Sequence, residues 1–285
     1  MTHATTETLR ARYAEAMTAA LGTAGARIRT AFARVPREAF LGPPPWRVLN
    51  GWPYDTSDPA ELYRDVLVVL ARAKDINNGS PSLHAHMLHR LGVAVGERVL
   101  HVGAGTGYYT AILAELVGGA GQVLAVEFDA ALAAAARANL RGWKQVRVAQ
   151  GDGADYPVED VQRIYVNFAL ARPADAWLDH LAVGGVLECP LGAPESETQH
   201  STNRAAILLV TRTARGFAAA FDWPVAFVFA EGRTAGDADL RAALREAFDR
   251  GDLDRVRSLH RAKLPAERAW VRSERFSLGF EAADG

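Results

Sequence analysis

The segment Val99-Leu100-His101-Val102-Gly103-Ala104-Gly105-Thr106-Gly107-Tyr108-Tyr109 constrains this chain more than any other stretch. An apolar run too short for a helix enters three alternating glycines, and an apolar-periodic segment follows from Thr110 to Leu116. That order reads as strand, tight loop, helix. Alternate glycines let backbone N–H groups approach a ligand closely, and the N-terminus of the following helix adds a partial positive charge. The loop therefore suits an anionic or carboxylate-bearing ligand.

The glycine spacing narrows the ligand. A dinucleotide fingerprint, G-x-G-x-x-G, requires its third glycine at position 108, where this chain has Tyr108; the glycine comes one residue early, at Gly107. A nicotinamide cofactor is disfavoured on that ground. Further on, the apolar run Gln122-Val123-Leu124-Ala125-Val126 ends in Glu127. A lone charge at a strand end is commonly a solvated side chain, but one βαβ step beyond a glycine loop an acid accepts hydrogen bonds from both ribose hydroxyls.

The 285 residues are 49% hydrophobic and 23% charged, with a formal charge of −1. This suits one large α/β domain with additions and gives no global field to recruit nucleic acid or a membrane. The single cysteine, Cys189, excludes an internal disulfide framework and suits a reducing compartment. Its apolar flanks place it in a buried strand. No apolar run reaches the roughly 18 residues of a membrane span and no signal-peptide core is visible, so the cytoplasm is the expected location.

Helical periodicity marks Thr6–Leu21, then Ile28–Val35, which Pro36 ends. Gly42-Pro43-Pro44-Pro45 reads as a stiff connection, and Trp46, Trp52 and Tyr54 fall in an irregular segment, either a wall over a ligand or cover for a core edge. Asn77-Asn78-Gly79-Ser80-Pro81 is a turn that starts a helix over Ser82–Arg90. His84, His86 and His89 on that helix do not share one face, which argues against a metal site. From Gly96 onward strands and helices alternate: strands at 98–102, 123–126, 146–149, 164–168 and 186–190, then a hairpin at 206–211 and 223–229. Gly151-Asp152-Gly153 ends the third strand, which puts Asp152 at the ligand-binding carboxyl edge; Asn167 lies in the fourth. The tail reads as two helices, 239–248 and 253–260, then an edge strand at 270–276. Its interspersed charges read as a solvated helical face rather than a nucleic-acid patch.

In this order the motifs resemble the protein-L-isoaspartate O-methyltransferase family, over roughly residues 24–232. Val35-Pro36-Arg37 with Phe40 resembles its V-P-R-x-x-F, Pro81 with the helix after it resembles its S-x-P-x-x-x-A segment, and Gly103 to Tyr108 resembles its glycine loop. Glu127 corresponds to the ribose-binding acid, Gly151-Asp152-Gly153 to its G-D-G, and Gly184-Gly185 through Gly192 to its G-G-x-L-x-x-P-x-G. The resemblance implies a seven-stranded, mostly parallel, doubly wound Rossmann-like α/β sheet with S-adenosyl-L-methionine (SAM) as cofactor. It also implies methyl transfer to a carboxylate of a protein or peptide, with no nucleic acid and no membrane as partner.

Cofactor binding is then expected from His101, Gly103, Gly105, Gly107, Tyr108, Glu127, Asp152 and Asn167, and Ser80 and Pro81 are expected on the acceptor side. Three positions depart from the family pattern. The hydroxyl residue two positions before the proline falls on Gly79, Arg72-Ala73-Lys74-Asp75-Ile76 replaces a Gly-x-Gly-Gln run, and His101 stands where an acid precedes the glycines. Two other readings stay open: the same fold with a different acceptor, a modified peptide or small molecule, or a non-catalytic SAM-binding interaction module. The expected organisation is an N-terminal helical and acceptor-side region (1–90), a SAM-binding domain (91–232) and an α-rich extension (233–285).

Overall fold

The computed structural model describes residues 5–72, 76–196 and 198–283. The middle of the departing run 72–76 therefore lies outside the described residues. Helix α1 (Thr6–Thr18) starts where the Thr5 hydroxyl accepts from the Thr8 N–H. It passes into a 3₁₀ segment broken at Gly22, short of the helix end expected at Leu21. Helix α2 (Ala26–Arg34) stops at Val35, which the following proline holds extended.

The segment read as irregular forms a small antiparallel sheet instead: β1 (Trp46–Leu49), β2 (Tyr54–Thr56), β3 (Leu67–Ala71) and β4 (Ile76–Asn77), in the order β2-β1-β3-β4. Trp46, Val48, Leu62, Val66 and Val68 form its own core, so Trp46 covers apolar neighbours, while Trp52 at the hairpin tip is exposed. The Val35-Pro36-Arg37 signature has a structural cause. The fully buried Arg37 guanidinium donates to the Leu62 and Val66 carbonyls (2.6 Å each), to the Arg64 carbonyl (3.1 Å) and to Asn78 Oδ1 (3.2 Å). It thereby ties the end of α2 to the turn that starts α3 (Pro81–Leu91).

The alternating part follows: β5 (Arg98–Val102), α4 (Tyr108–Val117), β6 (Gln122–Glu127), α5 (Ala130–Asn139), β7 (Val146–Gln150), β8 (Val161–Val166), the short α6 (Asp175–Asp179) and β9 (Leu181–Ala193). Two long strands, β10 (Ser201–Arg212) and β11 (Phe217–Val228), make the expected hairpin. The tail contributes α7 (Ala238–Arg250), β12 (Ser258–His260), β13 (Ala269–Arg272) and β14 (Ser277–Gly279).

The chain forms two compact units, residues 1–98 with 104–151, and residues 99–103 with 152–285. In the first unit β6 and β7 pair in parallel and α1 packs on α2 and α3. In the second, the strand order is β13-β14-β12-β11-β10-β9-β8-β5. The β5, β8 and β9 strands are parallel and every later pairing is antiparallel. The α/β class and the parallel strands that carry the motifs stand as expected, but eight described strands in this unit alone exceed the seven anticipated.

The extension is also less helical than its pattern. Residues 253–260 form one 3₁₀ turn and strand β12, because Ser258 and Leu259 pair with Ala218 and Phe217 of β11. An open strand edge captured a segment whose local pattern favoured helix. Cys189 is buried in β9, and burial pushes its thiol well above the ordinary range, leaving it inert.

Candidate functional site

In the first unit, the glycine loop leaves Ala104, whose N–H donates to the Val126 carbonyl (3.2 Å), and enters α4 through Gly107. Gly107 has φ +98°, and a Cβ there would lie 2.7 Å from Leu140 Cδ1. The loop is thus seated against the end of α5. Asn139 adds a second brace, its side-chain amide donating to the Thr106 carbonyl (3.0 Å). The N-terminus of α4 carries the positive end of the helix dipole, which favours an anionic group.

Glu127 ends β6 and is nearly buried, at 7% exposure. Its Oε2 accepts from the Gly105 N–H (2.7 Å) and its Oε1 from the Asp129 N–H (2.9 Å). Burial raises its carboxyl above the usual 4.5, and the two backbone donors offset part of that rise. A carboxyl this buried is not a solvated charge, and each of its oxygens, with one backbone donor, keeps a lone pair beside the glycine loop. The aromatic face of Phe128, half-exposed directly after it, was not assigned from sequence; its signal is its place next to the acid. Asp129 caps α5, accepting from Ala131 and Leu132.

One assignment is corrected here. The Tyr108 side chain is 2% exposed and packs among Phe32, Phe40 and Tyr109, its hydroxyl 3.3 Å from that of Tyr13. It belongs to the helical core, so only its backbone N–H remains for a cofactor. A loop position says nothing of side-chain direction where the loop turns into a helix with two buried faces.

In the second unit, His101 is fully buried in β5, its ring 5.3 Å from that of Tyr165. Burial pushes its imidazole down to about 3, so it is neutral at physiological pH. Gly103 follows at φ +77°, where a Cβ would meet Phe168 at 2.7 Å. Asn167, half-buried, donates its backbone N–H to the Val102 carbonyl (2.9 Å). In the G-D-G loop, Asp152 accepts from the Ala154 N–H (2.8 Å), and a Cβ on Gly153 would lie 2.1 Å from Val102 Cγ1. The Trp177 indole N–H fixes that loop by donating to the Gly153 carbonyl (2.9 Å). Arg233, which sequence reasoning left in the extension, donates to Asp152 Oδ2 (3.3 Å) and pairs with Asp155.

On the acceptor side, in the first unit, Ser80 caps α3 and donates to Asp65 Oδ1 (2.9 Å). Pro81 is the first residue of α3 and is buried. Asp65 also accepts from the N–H and hydroxyl of Ser82. Gly79 has φ +73°, and a Cβ there would lie 2.2 Å from His84 Nε2. The space that a side chain at 79 would take is filled by the buried His84 imidazole, stacked on Tyr109 at 3.8 Å. Among the described residues no cluster of three His, Cys, Asp or Glu could hold a metal, and no helix is long and apolar enough to cross a membrane.

Comparison with known proteins points the same way. The profile of the family described as Protein-L-isoaspartate(D-aspartate) O-methyltransferase matches residues 15–214. Protein-L-isoaspartate O-methyltransferase 2 of Anaeromyxobacter sp. is 35% identical over 229 residues, 79% of this chain and 84% of that protein. The enzyme of that name from Ignicoccus hospitalis is 31% identical over 70% of this chain and 87% of its own length. Two solved structures share the fold. One titled protein-L-isoaspartate O-methyltransferase has a TM-score of 0.67 at 23% identity, covering 79% of this chain and 67% of that one. The other is from Plasmodium falciparum, a putative protein-L-isoaspartate O-methyltransferase in complex with S-adenosyl-L-homocysteine. It has a TM-score of 0.60 at 17% identity, covering 79% of this chain and 99% of its own. With the profile spanning most of its length and relatives above 30% identity across two thirds of it, the chain belongs to the protein-L-isoaspartate O-methyltransferase family.

Proposed function

We propose that this SAM-dependent methyltransferase holds its cofactor through Glu127, the Gly103–Gly107 loop, the N-terminus of α4, Asp152 and Asn167. Phe128 supplies an apolar face, and the acceptor enters on the side of Ser80 and Pro81. The observation that carries this reading is the buried Glu127 carboxylate bonded to the Gly105 N–H. His101 is buried against Tyr165 as a neutral core side chain.

When bound, the sulfonium of SAM supplies a methyl group already activated for transfer. The work left to the chain is to align the acceptor and exclude water. A carboxylate acceptor needs no general base, and the titratable groups of this chain fit that demand. The Tyr108 and Tyr109 phenols are held protonated by burial, His101 is neutral, and Ser80 is committed to a cap and to Asp65. The acceptor class proposed is an isoaspartyl carboxylate in a protein or peptide, with residues 1–90 on the acceptor side, 91–232 on the cofactor side and 233–285 as the extension, in the cytoplasm. A second reading, a differently modified peptide as acceptor, is favoured by the filled space at Gly79.

Calorimetry with SAM, S-adenosyl-L-homocysteine and NAD, followed by labelled-methyl transfer to matched isoaspartyl and ordinary peptides, tests these statements. Binding of SAM with transfer to the isoaspartyl peptide is expected. SAM binding with transfer only to another peptide would select the second reading, and NAD binding in place of SAM would remove both.

A further inference from the structure

We propose that a basic cavity in the second unit docks acidic segments of the polypeptide acceptor, an inference that rests on the acceptor being a polypeptide. The cavity, about 580 Å³, lies between the loop leading into α7 and the turn joining β13 to β14. That volume is in the range of binding clefts. Arg172, Arg233, Lys263, Arg272 and Arg275 line it against the acidic Asp237, Asp239 and Glu274.

Four of the five lining cations have carboxylate partners: Arg233 pairs with Asp152 and Asp155, Lys263 with Glu274, and Arg275 (2.9 Å) and Arg172 (3.3 Å) share the single carboxylate of Asp175. Asp237 is taken up in capping α7, accepting from the Leu240 N–H (2.8 Å), and Glu274 is paired with Lys263. Arg272, exposed on the edge strand, has a hydrogen bond to the Leu264 carbonyl at 3.4 Å and no carboxylate within ion-pair distance among the described residues. On a chain whose net charge is −1, this concentration of basic groups is local rather than compositional.

The wall chooses the partner. Its three carboxylates repel a continuous phosphate backbone, which carries a charge at every nucleotide, and its lining includes no aromatic ring on which a base would stack. A polypeptide meets both signs: its carboxylates pair with Arg272 and Arg275, while its amides donate to the acids. Arg233 belongs to the cavity wall and also to the ion pair with Asp152, so a segment seated here lies next to a residue proposed to hold the cofactor.

The test uses the full chain and two isoaspartyl peptides that differ only in flank, three acidic residues against three neutral amides. The wild-type KM for the acidic peptide should be at least about fivefold lower, and the preference should shrink at 0.5 M salt. Arg272→Gln, and independently Lys263→Gln, should bring the two KM values together while the Kd for SAM stays constant. A wild-type ratio of one, or a ratio that both variants preserve, overturns the proposal and leaves the methyltransferase reading untouched.

Anisotropy of a labelled acidic peptide lacking isoaspartate reads the cavity without turnover. Binding that Arg272→Gln abolishes supports docking even if no peptide is methylated, a result that would sink the acceptor assignment alone. Tighter binding of a single-stranded RNA, lost in the same variants, overturns the choice of polypeptide.

Discussion

At the scale of residues, Glu127 and Gly79 decide most. Because burial raises the Glu127 carboxyl, the folded chain holds a proton that the unfolded chain releases near 4.5. Its contribution to stability is therefore full below 4.5 and is lost as pH rises through the raised value. Cofactor affinity runs oppositely: the ionised carboxylate is the acceptor, so binding is complete above the raised value and weakens as pH falls through it. Glu127→Gln keeps the shape and removes the charge, and a charged hydrogen bond is worth about 1.5–3 kcal/mol, so SAM binding should weaken roughly ten- to a hundredfold. Calorimetry across pH should also show a flatter profile than wild type; an unchanged Kd with a collapsed melting temperature would make Glu127 a structural residue. Gly79→Ser, which the family pattern invites as a restoration, should instead lower stability by about 1–3 kcal/mol, because its Cβ meets His84 Nε2 at a positive φ. Its melting temperature and isoaspartyl turnover should both fall, and a gain in turnover would show that the His84 ring yields.

At the scale of elements, the strand–loop–helix unit was legible because its signals are local. Glycine spacing, a short apolar run and an acid one βαβ step on each constrain the backbone without help from distant residues, and β5 spans the anticipated residues, 98–102. Side-chain direction was not legible: Tyr108 sits in the loop motif yet faces Phe32 and Phe40, and nothing in its spacing separates a ligand-facing from a core-facing ring. Nor was pairing with an existing edge, which turned 258–260 into strand. The brace of α5 on the loop came only from three dimensions, and it gives a prediction. Gly107→Ala adds a methyl 2.7 Å from Leu140 Cδ1 at φ +98°, so α4 and α5 must separate or the loop must shift. A loss of about 1–3 kcal/mol in denaturant unfolding and weaker SAM binding should appear together. Unchanged stability with lost binding would mean that the loop moves without disturbing Leu140.

At the scale of the whole molecule, the extension is part of the second unit's core rather than an appendage. Trp270 is 1% exposed, with ring contacts to Phe221 of β11 (4.9 Å) and Phe248 of α7 (5.1 Å), and Leu244, Phe276 and Leu278 of the same extension are buried too. Strand β12 closes the β11 edge that would otherwise offer unpaired N–H and C=O groups. A chain ended at Gly236 therefore loses both the cover of Phe221 and the edge partner of Phe217 and Ala218, and it should aggregate or unfold without a cooperative transition. Trp270→Ala, which leaves β12 in place, separates the two effects; removing a buried indole costs about 3–5 kcal/mol, and the variant should still bind SAM at low temperature. Thermal unfolding monitored by circular dichroism, with calorimetric SAM binding at 10 °C, reads both quantities on both proteins. If the truncated chain melts cooperatively at the wild-type temperature, the extension is a detachable module, and the basic cavity within it would have to be sought as a separate binding unit.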